Sequence, residues 1–412
     1  MIGAEWITVQ LPHEWRVARI RDTTTIVNGF PFDSKDFSDG IGHPLVRIRD
    51  IFLDDTNVYV DAPEVPEATI DTGDILVGMD GDFNVARWRG GRAQLNQRVC
   101  CIRPNEEVDA RFLAYLLPAP LKLINEFTYS TTVKHLSSFD IQKIHFPCPD
   151  GETQRELADF LDAATGEIDA LINAKQKLLD LLAEKRRTLV AEAVIHGLDR
   201  STPLRPSGID WLGDIPAHWE LERSRWLFTE RDERSETGEE EMLTVSHITG
   251  VTPRSEKDVN MFEAETTAGY KLCFTGDLVI NTLWAWMGAM GAAPVDGIVS
   301  PAYNVYTPGP RLLPAYVDAL VRIPVFAQEV TRYSKGVWSS RLRLYPEGFF
   351  ETFWPVPPLD EQKQIVARIA EERVKIDKLA TATERSIGLL KERRSALIAA
   401  AVTGQIDIPE AA

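Results

Sequence analysis

The sequence predicts an α/β protein, more narrowly α+β, that is built twice. Two globular domains are expected, joined by two long antiparallel coiled-coil helices in a pseudo-twofold repeat. Three observations carry this. Residues 146–199 recur in weakened form at 354–407, and an ungapped shift of 208 superposes Pro147/Pro355, Gln154/Gln362, Asp169/Asp377, Leu182/Leu390, Arg186/Arg394 and Asp199/Asp407. Those segments carry apolar residues at alternating steps of four and three. The stretches before them alternate short β-branched runs with Gly, Asp and Pro turns, the mark of short strands. A period near 208 is too long for a solenoid unit, so whole domains are repeated.

Taken in order, residues 1–149 form the first globular domain and 150–199 the first long helix. Residues 200–214, with two prolines, two glycines and no hydrophobic period, read as a linker. Residues 215–357 form the second globular domain, 358–407 the second helix and 408–412 a tail. In the first helix the seam runs through Leu157, Leu161, Ala164, Ile168, Leu171, Leu178, Leu182 and Leu189. In the second it runs through Ile365, Ile369, Ile376, Leu379, Leu390 and Leu397. A stripe this narrow suits pairing of the two helices better than packing on a broad domain surface. Prolines precede each helix, Asp360 is a candidate N-cap, and Gly197 and Gly404 mark the ends. The globular parts echo each other too: LPHEW at 11–15 against IPAHW at 215–219, and GDILV at 73–77 against GDLVI at 276–280.

Composition narrows the function. No apolar run reaches the ~18 residues of a membrane span. The N-terminus lacks the basic start and apolar core of a secretory signal. The four cysteines form no CxxC pair, so a reducing cytoplasm is the expected location, and the vicinal Cys100–Cys101 reads as core. The sequence has no GxxxxGK[ST], HExxH, GxSxG or GxGxxG, nor any [ND]PP[YF] loop. Two diverged copies of a motif-free domain fit binding better than catalysis, so no catalytic residue, metal ligand or bound cofactor is expected of this chain. The net charge of −17 argues against a broadly basic nucleic-acid surface. A polyanion site must then be a local patch.

Two such patches stand out. Phe83 to Asn105 holds arginines and no acid. Arg87, Arg89 and Arg92 surround Trp88 and the Gly90–Gly91 turn, and Asn96, Gln97 and Arg98 follow. Arginine forks grip phosphate or read guanine, and Asn or Gln reads adenine. The bland alternative is a solvated hairpin whose arginines pair with Asp80 and Asp82. The second patch, Thr331 to Tyr345, places Arg332, Lys335, Ser339, Ser340, Arg341 and Arg343 around Gly336. Its counterpart in the first half carries Lys134 and His135. Hydroxyls and cations on a glycine-turned loop suit backbone and base contacts. Trp284 and Trp286 alternate on one strand face, as core or as an exposed platform. The cationic runs at 185–187 and 391–394 suit the C-terminal ends of helices.

In this order, SGIDWLGDIPAHWE (207–220), GDILVGMDG (73–81), LNQRVC (95–100), PVPPLDEQKQIV (355–366) and AAAVTGQID (399–407) resemble the DNA-specificity subunits of type I restriction–modification systems. The resemblance covers nearly the whole chain. It implies two target-recognition domains, each reading one half of a split double-stranded DNA site. It also implies helices that set the spacing and dock two modification subunits. Those partners would supply S-adenosylmethionine and methyl transfer to adenine; restriction subunits would supply ATP- and Mg2+-dependent translocation and cleavage. The first copy departs from the pattern at FPCPDGETQ and HGLD. Two readings from other classes compete: a stand-alone methyltransferase or nuclease with unrecognised motifs, and a coiled-coil scaffold that binds only protein. Methyl transfer or cleavage by the purified chain would favour the first, and a gel shift with its partners present separates the second from DNA recognition.

Overall fold

The computed structural model describes residues 4–127, 134–256, 266–336 and 342–406. The fold is α+β. The chain divides into two compact units, Met1–Gln176 with Arg385–Ala412, and Lys177–Glu384. Each unit therefore contains one globular part and a segment of each long helix. The first long helix runs Gly151–His196 and the second Leu359–Val402.

In unit 1 a four-stranded antiparallel sheet has the order Thr24–Asn28, Val99–Pro104, Ile75–Gly78, Val85–Arg87. The strand Arg16–Arg19 pairs antiparallel with His145–Cys148, just ahead of the long helix. A second sheet, of five short strands, carries His43–Val46 parallel to Ala93–Leu95. Cys100 and Cys101 lie on opposite faces of the central strand and are both buried, as β alternation requires. Burial pushes the Cys100 thiol up to about 12, so it stays protonated and unreactive.

Unit 2 repeats the plan. Its four-stranded sheet has the order Phe228–Arg231, Tyr303–Pro308, Leu278–Asn281, Met290–Ala292, again antiparallel throughout. Glu220–Arg223 pairs with Phe353–Val356 ahead of the second helix. Residues 200–214, expected as an unstructured linker, contain most of a hairpin, Leu204–Pro206 against Asp214–Pro216. Gly208 and Gly213 take positive φ in its turn, and Leu212 is buried in the core.

One side chain fastens each helix start. Gln154 is fully buried; its Nε2 donates to the carbonyls of Pro149 (2.8 Å) and Glu107 (3.1 Å), and its Oε1 accepts from Asp109 N at 2.8 Å. Gln362 does the same in unit 2, donating to Pro357 O and Arg311 O and accepting from Leu313 N, each at 2.8 Å. The first helix is capped by Asp150, whose Oδ1 accepts from Glu152 N and Thr153 N. The second begins at Leu359, so Asp360 sits in the first turn and is not the cap. Pro358 occupies the place that Asp150 holds in the first copy.

The helix segments pair antiparallel within each unit. In unit 1, Leu157, Ala158 and Leu161 share a core with Ala401 and Val402, while Asp169 further along meets Arg394. In unit 2, Ala193, Val194 and Ile195 share a core with Ile365 and Ile369, while Arg186 meets Asp377. The expected seam is only partly buried. Leu171, Leu178 and Leu379 are exposed, and Thr165, Thr383 and Ile387 are buried instead. A straight helix drifts about 20° per heptad against a 3.5-residue repeat. The seam therefore slides off the heptad positions toward the middle of each helix.

Gly197 and Gly404 end the helices with φ of 76° and 67°. Each packs against a proline and a tryptophan: Gly197 against Pro216 and Trp219, Gly404 against Pro12 and Trp15. These are the two echoes LPHEW and IPAHW. Each tryptophan motif thus receives the end of the other repeat's helix.

Candidate nucleic-acid interface

The unit 1 arginines expected as one patch lie at opposite ends of the sheet. Strand Ile75–Gly78 is the reference. At its start, Trp88 N donates to Asp74 O and Gly73 N to Trp88 O, so Trp88–Arg92 lie there. At its end, Met79 N donates to Arg98 O, which brings Asn96–Arg98 there. Four extended residues at about 3.4 Å each separate the two groups by roughly 10–14 Å.

At the start of the strand, Trp88 is buried, not interleaved among the arginines at the surface; its Nε1 donates to Gly91 O at 2.7 Å. Gly90 lies against the indole, where a Cβ would sit 2.3 Å from the ring. The arginines have acidic partners. Arg92 lies 2.8 Å from Glu64 and 3.8 Å from Asp71, and Arg89 lies 3.5 Å from Asp54. The Arg92 guanidinium holds the Glu64 carboxyl below its ordinary range. Arg87 ends its strand, exposed.

At the end of the strand, five of the expected residues converge. Asn96, Gln97 and Arg98 form the turn between two strands. Lys134 and His135 come alongside because Leu136 N donates to Met79 O at 2.7 Å and Gly81 N to Lys134 O at 3.1 Å. Asp80 sits among them. Its carboxylate accepts from His135 Nδ1 at 2.8 Å and lies 3.3 Å from Arg98 Nη1. Lys134 Nζ is held by Asn125, through its backbone carbonyl at 2.6 Å and Oδ1 at 3.0 Å. Gln97, Arg98 and His135 remain exposed. A carboxylate acceptor beside a guanidinium and an imidazole offers both acceptors and donors to base-edge groups.

Unit 2 builds the same corner with different chemistry. Leu344 N donates to Thr282 O at 3.1 Å, matching the Leu136–Met79 bond. Lys335 and Arg343 exchange both backbone hydrogen bonds at 2.9 Å. Beside them the chain after Asn281 does not continue as a strand. It turns through Ala285–Met287, ending at Gly288 with φ 89°. Trp284 and Trp286 therefore lie on a turn, with Trp284 half exposed, so the shared strand face expected for them is absent. Leu283, Trp284, Trp286 and Tyr345 line a recess of about 500 Å³ with Lys335 and Arg343. Arg332 stacks over Tyr333 at 5.6 Å. The expected contacts Ser339, Ser340 and Arg341 lie outside the described residues.

Sequence reasoning missed Asp80 as a member of the site and missed the recess. Both depend on the paired bonds Leu136–Met79 and Leu344–Thr282, which join segments more than 50 residues apart. No three His, Cys, Asp or Glu side chains among the described residues group to hold a metal ion. No helix there is long and apolar enough to cross a membrane.

The described residues thus hold a repeated α+β domain ahead of each long helix, with a polar corner in each repeat. Residues 12–180 match the family model described as the type I restriction modification DNA specificity domain. The chain is 28% identical over 418 residues to the EcoBI specificity subunit of Escherichia coli, covering 95% of this chain and 86% of that one. It is 18% identical over 356 residues to the EcoDI specificity subunit, covering 82% and 78%. A chain solved in a study of assembly and conformational transition of the type I system superposes with a TM-score of 0.71 at 18% identity, covering 97% of this chain and 100% of that chain. The HsdS subunit of Thermoanaerobacter tengcongensis superposes at 0.52, also at 18% identity, covering 97% and 99%. Residues 12–180 thus match the DNA specificity domain, and the chain is similar over nearly its whole length to type I specificity subunits.

Proposed function

We propose that this chain is the sequence-reading subunit of a type I restriction–modification complex in the cytoplasm, addressing a two-part DNA site with one half-site per unit. The observation that carries this is the repeated corner, Leu136–Met79 in unit 1 and Leu344–Thr282 in unit 2, each presenting exposed cations in a chain of net charge −17. In unit 1, Asn96, Gln97, Arg98, Lys134 and His135 meet the bases, while Arg87, Arg89 and Arg92 grip the backbone. In unit 2, Arg332, Lys335, Ser339, Ser340, Arg341 and Arg343 take these roles. The surface ion pairs of Arg89 and Arg92 are cheap to exchange for phosphate, since each is worth about 1 kcal/mol or less.

The long helices set the gap and dock two modification subunits. Exposed Leu171, Leu178, Leu181, Val374, Leu379 and Leu389 supply apolar contact area there. S-adenosylmethionine, ATP and Mg2+ belong to the modification and restriction partners, and this chain performs no chemistry itself. The test is the pattern of methylated adenines in DNA exposed to the assembled complex. Two short motifs separated by a gap of fixed length are expected. A single uninterrupted motif would overturn the reading.

A further inference from the structure

The recess in unit 2 differs from its counterpart in unit 1 in kind. Where unit 1 has the carboxylate of Asp80, unit 2 has indoles. Trp286 is fixed by its Nε1, which donates to Leu283 O at 3.1 Å. Trp284 is half exposed and its indole N–H donates to none of the described residues. Tyr345 is 42% exposed across the recess. Lys335 and Arg343 stand on one side, locked together by their backbone pair. Glu347, 3.6 Å from Lys335 Nζ, is outside the lining, and no acid is among the lining residues.

This is poor equipment for reading base edges in a groove, which takes matched donors and acceptors. It is good equipment for a base face: aromatic rings stack on any base, and adjacent cations hold the flanking phosphate. In an intact duplex those faces are covered by neighbouring base pairs. A base must leave the stack to offer one. Resting on the DNA-reading function above, we propose that the Trp284–Trp286–Tyr345 recess holds one unstacked base of the half-site bound by unit 2, with its phosphate on Lys335 and Arg343. At the corresponding place unit 1 presents the Asp80 carboxylate paired with His135 and Arg98, so the two half-sites are read by different physics.

The experiment uses the complex assembled with its modification subunits and duplexes carrying the site defined by its methylation pattern. The partner of each base in both half-sites is replaced in turn by an abasic site, which lowers the cost of unstacking that base. In the wild type, one position besides the methylated adenine should bind about tenfold more tightly, in one half-site only. Trp284→Ala should abolish that gain and weaken binding of the intact duplex by roughly 5- to 100-fold. Trp284→Phe should keep most of both. Any gain opposite the methylated adenine should survive in both variants. A side chain this exposed leaves the thermal transition unchanged, which a melting curve confirms for each variant. The proposal falls if no second position gains, or if its gain persists in Trp284→Ala. A wild-type complex that binds no specific DNA would instead sink the DNA-reading function itself.

Discussion

Arg394 donates from Nε to Asp169 Oδ1 at 2.9 Å, and its repeat counterpart Arg186 donates from Nη1 to Asp377 Oδ1 at 3.1 Å. Each arginine thus binds the other repeat's aspartate. This exchange is what an antiparallel pair of related helices requires, and it occurs once within each unit. The pairs are partly exposed, so they specify register more than they stabilise. The apolar contacts contribute more, since a fully buried leucine such as Leu157 or Leu161 is worth about 1.5–3 kcal/mol.

Charge reversal should expose this directly. Arg394→Asp should destabilise unit 1 by about 0.5–1 kcal/mol, and adding Asp169→Arg should restore most of it. Urea denaturation of the singles and the double measures the coupling. Additive losses would show that the pair carries no register information.

The glutamine anchors should be far more costly. Gln362→Leu takes their partner from Leu313 N, from the buried Pro357 carbonyl and from the Arg311 carbonyl, at about 1–3 kcal/mol for each group that water cannot reach. Gln154→Leu should act alike in unit 1. Hydrogen exchange should localise the loss to the first turns of the affected helix. Unchanged protection there would refute the anchoring role.

Glu329 offers a pH test. It is 1% exposed, its Oε1 accepts from Phe353 N at 2.9 Å, and the Trp211 side chain lies beside its carboxylate. Burial pushes its carboxyl above the ordinary 4.5. The folded state therefore holds the proton more tightly than the unfolded state. The stability this contributes is full below about 4.5 and falls as pH rises through the raised value. Glu329→Gln cannot ionise, so relative to wild type it should gain stability as pH rises from about 4.5 through the raised value. A constant difference across that range would contradict the raised carboxyl.

The two corners should fail independently on DNA. Arg98→Ala should relax one position of one half-site at about 1–3 kcal/mol, whereas Arg343→Ala, which removes a phosphate contact, should leave the preferred bases of both half-sites unchanged. Replacing a phosphate-gripping cation, for which Arg89 and Arg92 are candidates, should weaken all sequences evenly and lower the salt slope by about one. Competition binding at several salt concentrations separates the two patterns.

The doubled architecture was legible because it is written in residues that recur at fixed spacing: Gln154 and Gln362 do the same task, as do Trp15 and Trp219. Helix pairing was legible from the apolar seam, but its burial at Leu171 and Leu379 was not, since helix drift depends on the real pitch. The corner proposed to meet DNA was half legible. Acid-free arginine runs mark candidate contacts, yet Arg89 and Arg98 are nine residues apart in sequence and at opposite ends of a strand in space. Trp88 looked like a surface aromatic because nothing in the sequence shows that Gly90 packs against its ring. The recess at Trp284 was hidden because the turn Ala285–Met287 interrupts what reads as a strand.

Gly404 and Val402, near the end of the chain, close the core that begins with Trp15 and Ile20. During synthesis this has a temporal cost. Residues 177–384 make up unit 2 and can complete it as soon as they emerge. Unit 1 must wait for them, with Leu157 and Leu161 uncovered, for about 10–40 s at the ~5–20 residues per second of translation. The domain made first is thus finished last, which leaves its apolar surface open to misassociation while the ribosome works.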